Sequence, residues 1–172
     1  KERIAKKILT NDIVEIAIST DSAEIAVTSY DGEVSIWSPD TLQSKMRFKT
    51  NENSLKRLLY LSPNRLVAAA QSMTLWDTST GKKEETLSPG GYNYELARSA
   101  DNKSFVLGDK EGLKVLDAST RKILSTVRGD FGTNGLIELS PDSKYIAIAC
   151  DARILIVEVG NGEVVQAIDN SG

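Results

Sequence analysis

The segment Met73–Lys82 reads Met-Thr-Leu-Trp-Asp-Thr-Ser-Thr-Gly-Lys, an apolar strand pattern that ends in Trp-Asp and continues into a tight polar turn. The same pattern returns around Trp37, Leu116 and Val157. From Trp37 onward, these four anchor positions are 39, 40 and 41 residues apart. A period this constant predicts a repeat architecture with four copies of one structural unit.

Each repeat contains four short runs that favour β-strands. The second repeat shows them most clearly, at Leu55–Leu61, Leu66–Ala70, Met73–Trp76 and Glu84–Leu87. Alanine favours helix, but the place of the alanine run in the repeat predicts a strand there. Between the runs lie turn signals: every repeat carries a Ser-x-Asp or, at Ser62-Pro63-Asn64, a Ser-x-Asn triplet after the first strand, and Asp31-Gly32 predicts a hairpin.

Four strands in about 40 residues is the layout of a β-propeller blade. We therefore predict an all-β fold of four four-stranded antiparallel blades in a single propeller segment. The predicted bounds of the blades are 13–50, 51–89, 90–130 and 131–172. Residues 1–12 contain one further strand, Ile4–Leu9, which predicts the outer strand of an upstream blade. Four complete blades and a spare strand indicate part of a larger ring.

Composition excludes several classes of function. The net charge is −3 with a pI near 5.1, which argues against a nucleic-acid surface. The single cysteine, Cys150, excludes an internal disulfide and a cysteine-cluster zinc site, and its apolar setting predicts a small buried side chain. No apolar run approaches the length of a membrane helix. We expect an intracellular protein, cytoplasmic or nuclear, that has no membrane contact.

These residues resemble the WD-repeat (tryptophan–aspartate repeat) β-propeller family across nearly the whole chain. Leu75-Trp76-Asp77 followed by Thr80-Gly81-Lys82 is the closest match, and Ser140–Ala147 is similar to the family's first turn. The resemblance implies a ring of about seven blades that acts as a scaffold for protein–protein contacts. The chain has no histidine, so the buried network that the family builds on a Gly-His pair cannot form. A related family, such as the quinoprotein-like propellers, is the alternative.

No catalytic motif stands out from the repeat. Without histidine a Ser-His-Asp triad is impossible. The two Ser-x-x-Lys matches, at Ser79 and Ser119, occupy the same turn of successive repeats, and Asp77, Asp117 and Glu158 also hold equivalent positions. Turn hydrogen bonding accounts for them better than catalysis does. We expect no enzymatic activity, no cofactor and no metal site.

The loops remain as the predicted functional surface. In a propeller, the loops before each first strand and between the middle strands converge on one face. Tyrosine and arginine are enriched at interface hot spots. The residues predicted to bind a partner protein are Tyr30, Asp31, Tyr92, Asn93, Tyr94, Lys110, Arg128, Phe131 and Arg153.

The sequence is also compatible with two other functions. The first is a small-ligand or enzymatic propeller with its site at a central channel, for which Glu15, Lys56, Arg57 and Glu95 are the charged candidates. The second is a structural subunit whose ring is completed by further blades of the same parent protein or of a partner chain. No direct contact with nucleic acid is expected in any of the three.

Overall fold

In a computed structural model, sixteen β-strands make up the regular structure of the residues described. The structure describes residues 12–52, 55–88, 95–109, 112–129, 136–150 and 153–169. No helix occurs within these ranges, and so none of their segments is a helix able to cross a membrane. The strands form four antiparallel sheets of four strands each, and every sheet is built from strands consecutive in sequence.

The chain divides into two compact units, and the first ends at Leu87. Its two sheets follow the order β1-β2-β3-β4 and β5-β6-β7-β8. The strands of the first sheet are β1 Ile13–Ile18, β2 Ile25–Ser29, β3 Glu33–Trp37 and β4 Ser44–Lys49. Those of the second sheet are β5 Arg57–Ser62, β6 Arg65–Ala69, β7 Met73–Asp77 and β8 Lys82–Ser88, whose last residue already belongs to the second unit.

The second unit spans Ser88–Gly172 and repeats the same arrangement. Its first sheet, the third of the chain, consists of β9 Glu95–Arg98, β10 Ser104–Asp109, β11 Gly112–Asp117 and β12 Ile123–Arg128. The fourth sheet consists of β13 Leu136–Leu139, β14 Tyr145–Cys150, β15 Arg153–Glu158 and β16 Val164–Asp169. The all-β class and the four strands of each repeat are confirmed, including the strand at the alanine run. The predicted strand at Ile4–Leu9 lies outside the described residues.

The third turn of every repeat has the same backbone. Its closing residue donates its N–H to the carbonyl four residues earlier and has a positive φ. These residues are Leu42 (φ 51°), Gly81 (φ 67°), Arg121 (φ 59°) and Gly162 (φ 75°). They recur at the 39-, 40- and 41-residue intervals of the sequence anchors. The period in the sequence is therefore a period in backbone geometry.

The Ser-x-Asp triplets form a second repeated turn. In each, the serine hydroxyl donates to the aspartate Oδ1 at 2.7 Å, as at Ser19–Asp21, Ser99–Asp101 and Ser140–Asp142. The same serine oxygen accepts the N–H of the residue five positions later at 2.9–3.0 Å. Short side chains thus satisfy the backbone between the first and second strands, as the sequence predicted.

Sheet packing in the first unit centres on Trp76. Its ring stacks on Phe48 of the neighbouring sheet, with centroids 5.0 Å apart. Its Nε1 donates to Thr74 Oγ1 at 2.8 Å, so the indole is buried without an unpaired N–H. Trp37 repeats this bond on Ser35 in the first sheet. The rest of this core is formed by the buried residues Ala26, Val34, Ile36, Leu55, Leu58, Tyr60, Leu66, Ala68 and Ala70.

The core of the second unit also lies between two neighbouring sheets, but its side chains are smaller. It joins the third and fourth sheets through Ala97, Val106, Leu113, Val115, Val127, Ile137, Leu139, Ile146, Ile148 and Val157. Leu116 and Val157 stand where the first unit has tryptophan. Cys150 packs against this core but is only partly buried, because it ends β14 at the edge of the cluster.

Gly162 and Gly160 form a matched pair in one turn. We expect Gly162→Ala to lower the free energy of unfolding by about 1–2 kcal/mol, because the residue has a φ of 75° and its new Cβ would lie 3.1 Å from the Thr126 carbonyl oxygen. Gly160→Ala should be nearly neutral, since nothing lies within 4 Å of that Cβ. Urea unfolding of both variants measures the difference, and equal losses would contradict the turn geometry.

Replacement of Trp76 tests the packing of the first unit. Trp76→Ala removes a buried ring that stacks on Phe48, and should cost about 3–5 kcal/mol of stability. Denaturant unfolding followed by far-ultraviolet circular dichroism measures this loss. Exposed Leu124 provides the control, and Leu124→Ala should change stability little. An unchanged midpoint for Trp76→Ala would show that the indole does not hold the two sheets together.

Candidate interaction surface

The β2–β3 turn presents the most exposed aromatic side chain among the described residues of the first unit. Tyr30 is 64% exposed, immediately after the buried end of β2. Beside it, Asp31 Oδ1 accepts a hydrogen bond from Ser29 Oγ at 2.5 Å, and Oδ2 lies 3.5 Å from Lys49 Nζ. The Ser29 hydroxyl lowers the pKa of Asp31, so this carboxylate stays charged. An aromatic ring and an anion therefore stand side by side at the tip of the hairpin.

A glycine lets the following linker approach this turn closely. Gly32 has a φ of 75°, and a Cβ on it would lie 2.1 Å from the Glu52 carbonyl oxygen. Thr50 bonds the turn twice, because its N–H and its hydroxyl both donate to the Gly32 carbonyl at 3.1 Å. The linker from the first sheet to the second is thus fastened to the base of the Tyr30 hairpin.

Glu52 extends this connection to the second sheet. Its Oε2 accepts the backbone N–H groups of Gln71 and Ser72, both at 3.1 Å, and its Oε1 accepts the Ser72 hydroxyl. These residues form the β6–β7 turn. One carboxylate therefore ties the middle turn of the second sheet to the linker that also holds the Tyr30 hairpin. In the first unit, the β2–β3 turn, this linker and the β6–β7 turn are thus joined by hydrogen bonds, and Tyr30 stands on that base.

Sequence reasoning missed Thr50, Glu52 and Ser72. No motif marks them, because each is an ordinary polar residue in a linker or a turn. Their role depends on which loops meet at one edge of the sheets. The glycine of Asp31-Gly32 was the only local indication of this contact, because glycine allows another backbone segment to approach closely.

In the second unit, the structure places Arg128 and Arg153 on different sheets. Arg128 ends β12 opposite Gly112, and with Lys114 and Thr126 it lines a shallow depression. Arg153 begins β15, and its Nε lies 3.8 Å from Asp169 Oδ1 in an exposed pair that contributes little energy. Tyr92, Asn93, Tyr94, Lys110 and Phe131 lie outside the described residues, so their predicted role stays a prediction.

At the other end of β2, Glu24 joins the two sheets of the first unit. Its Oε2 accepts hydrogen bonds from Tyr60 at 3.1 Å and from Thr78 at 3.0 Å, and Lys45 Nζ lies 3.3 Å from Oε1. Burial, aided by the Glu24 charge, raises the pKa of Tyr60 well above its ordinary value. Each buried side-chain nitrogen or oxygen atom of this cluster has a hydrogen-bond partner. The cluster is a structural connection between sheets.

Two of the four charged residues predicted for a channel site, Glu15 and Arg57, form an ion pair. Arg57 Nη1 lies 3.4 Å from Glu15 Oε2, across the neighbouring strands β5 and β1. Lys56 is exposed, and Glu95 begins β9 in the second unit. The Glu15–Arg57 pair compensates two of the four charges considered for a ligand site. Within the described ranges, no three cysteine or acidic side chains are placed to hold a metal ion.

The repeated acidic residues are engaged in their turns. Asp77 Oδ1 accepts the N–H of Ser79 and Thr80 and the Ser79 hydroxyl, at 2.6–3.2 Å. Asp117 does the same with Ser119 and Thr120, at 2.7–3.1 Å. These bonds all end on Oδ1 and hold each carboxylate in its turn, which supports the turn interpretation of both residues.

Comparison with protein-family models found no match, and comparison with curated proteins found none either.

The Asp117 turn predicts an acid titration. Hydrogen bonds from the Thr120 N–H and the Ser119 hydroxyl lower the pKa of Asp117 from 3.8 to about 2. The charged form is favoured in the folded state, so its contribution to stability is complete above pH 3.8 and is lost as the pH falls through about 2. Carboxyl-carbon NMR should give a midpoint near 2, and Ser119→Ala should raise it. A midpoint near 4 in the folded protein would contradict this bonding.

Proposed function

We propose that this chain is a non-catalytic, WD-repeat-like β-propeller segment that scaffolds protein–protein contacts inside the cell. Its four sheets would serve as blades of a larger ring within a multi-protein complex. The observation that carries the proposal is the exposed Tyr30 on a hydrogen-bonded loop base. Such a surface recognises a partner by shape and polar contact, and it needs no reactive group.

Repetition of the sheets supports the architectural part. The third turn recurs with one geometry in all four sheets, and the Ser-x-Asp turn recurs in three. Trp37 and Trp76 repeat an indole-to-hydroxyl bond two residues apart. Each sheet also places its strands in simple sequence order, as blades of a propeller do.

The Tyr30 hairpin supports the functional part. An exposed tyrosine offers a large apolar ring with a hydroxyl, and few rotatable bonds are lost on binding. Asp31 adds an anion 3.5 Å from Lys49, so the hairpin also carries polar groups for orientation. Gly32, Thr50 and Glu52 hold the hairpin in place before a partner arrives, which reduces the entropy lost on association.

Replacement of Tyr30 tests the proposal. Tyr30→Ala should weaken partner binding by about 1–4 kcal/mol and leave thermal stability nearly unchanged, because the ring is exposed. The measurement is quantitative affinity capture from cells of the source organism, in which the wild-type protein and the variant compete for the same extract. Each partner found is then titrated against both proteins.

Leu124→Ala is the matched control, since Leu124 is 60% exposed and lies on β12 in the other unit. It should retain every partner that the wild-type protein retains. Equal capture by Tyr30→Ala and wild type would show that the hairpin is not the binding surface.

A further inference from the structure

Strands β11 and β12 of the third sheet carry a group of four residues on one face. In the register of this antiparallel pair, Gly112 lies opposite Arg128, and Lys114 lies opposite Thr126. Residues directly opposite each other share a face, and so do residues two apart along a strand. The four residues therefore mark the corners of one patch, and they line a shallow depression of about 490 Å³. We call this the β11–β12 depression.

A glycine leaves one corner of the depression without a side chain. Gly112 has a φ of 131°, and a Cβ on it would lie 2.2 Å from the Val127 carbonyl oxygen. Glycine is therefore required by the backbone at this position. Arg128 is exposed, and Lys114 and Thr126 are partly exposed. Three polar side chains that solvent can reach thus surround an open corner.

The first sheet has ion pairs at the same positions. By register, the four corresponding residues are Glu33, Ser35, Arg47 and Lys49. Arg47 Nη1 lies 3.1 Å from Glu33 Oε1, and Lys49 Nζ lies 3.5 Å from Asp31 Oδ2. Each cation of this patch therefore has a carboxylate from its own sheet beside it.

The third sheet departs from this pattern. In the fourth sheet, the corner residues Arg153 and Asp169 lie opposite each other and form an ion pair. In the third sheet, Arg128 lies opposite a glycine instead, and Lys114 adds a second cation on the same face. Asp109 of β10 is in register with that glycine, so the patch and its neighbouring strand contain two cationic residues and one acidic residue. This local excess of positive charge stands out in a chain whose net charge is −3.

We propose that the β11–β12 depression binds a phosphomonoester group. Lys114 and Arg128 are diagonal neighbours, whose Cβ atoms are typically roughly 7–8 Å apart, and two long side chains can close that distance onto one anion. The arginine offers paired N–H donors, the lysine a point charge and Thr126 a hydroxyl donor. These groups match the three oxygens and the charge of about −1.5 to −2 of a phosphate ester. A carboxylate has less charge and fewer oxygens, so it fits less well.

Two sources carry this chemistry, a small phosphate ester and a phosphorylated side chain of a partner protein. The inference does not rest on the Tyr30 surface, because Tyr30 lies in the first unit and the depression lies in the second. Tyr30→Ala should therefore bind phosphate as the wild type does. Failure of the two proposals can thus be distinguished.

An NMR titration of the purified chain at low ionic strength tests the site, since salt would screen exposed charges. The probes are methyl phosphate, acetate, and a short glycine–serine peptide with and without one phosphoserine. With either phosphorylated probe, the amide signals of the four depression residues should shift and saturate at millimolar concentrations. Acetate and the unphosphorylated peptide should cause little change.

Three substitutions identify the groups that bind. Arg128→Gln and Lys114→Gln should each weaken binding by about fivefold or more, because each removes one charge that contacts the anion. Arg153→Gln is the matched control, since it removes the same charge from an exposed arginine that pairs with Asp169. It should bind as the wild type does. Circular dichroism confirms that each variant is folded.

The outcomes separate the two sources and can overturn the site. Equal affinity for methyl phosphate and the phosphopeptide would identify the phosphate group itself as the ligand, whereas tighter binding of the phosphopeptide would identify a phosphorylated partner segment. Shifts that do not saturate would overturn the proposal. So would acetate binding as tight as that of methyl phosphate, or an equal loss of affinity in Arg153→Gln.

Discussion

Each sheet of this protein has apolar side chains on both faces, and this constraint governs the rest of the structure. Successive residues of a strand point to opposite faces. Ala26 and Val27 are both fully buried, as are Val67 and Ala68 in the second sheet and Phe105 and Val106 in the third. An isolated four-stranded sheet would expose both members of every pair, and a sheet covered on one face only would still expose one of them. Stability therefore depends on the covering of both faces, at about 1.5–3 kcal/mol for each large aliphatic side chain buried.

The turns repeat because the sheets must stay in register while they pack. A residue with a positive φ closes the third turn of every sheet. A hydrogen bond from serine to aspartate closes the first turn in three of the sheets. Asp77 and Asp117 accept hydrogen bonds from turn amides and hydroxyls on Oδ1, and these bonds lower the pKa of each carboxyl. The acidic residues that recur in the sequence thus have a structural task.

The linker between the first two sheets holds the loops at one edge of these sheets together by hydrogen bonds. Thr50 bonds the Gly32 carbonyl, and Glu52 bonds the β6–β7 turn, so three loops form one hydrogen-bonded unit. Tyr30 projects from that unit into solvent. A side chain that is exposed but well supported loses little freedom on binding, which is the physical advantage of a loop carried on packed sheets.

The sequence by itself determined the all-β class, the four repeats and the strands within them. These features follow from local chemistry: apolar runs of strand length, short polar residues at turns and glycine where φ is positive. The place of Trp76 at the end of a repeated strand was also evident from the sequence. The role of Asp77 and Asp117 as turn residues was likewise evident from their equivalent positions.

Only the tertiary structure decided which loops meet and which sheets pack on each other. Glu52 and Ser72 are 20 residues apart, and no local pattern relates them. The pairing of Glu15 with Arg57 and of Glu24 with Tyr60 likewise depends on how one sheet lies on the next. Ile16 and Ile137 hold the same repeat position and the same residue type, yet one is exposed and the other buried. Burial depends on a neighbouring sheet, and a repeat cannot encode its neighbour within its own residues.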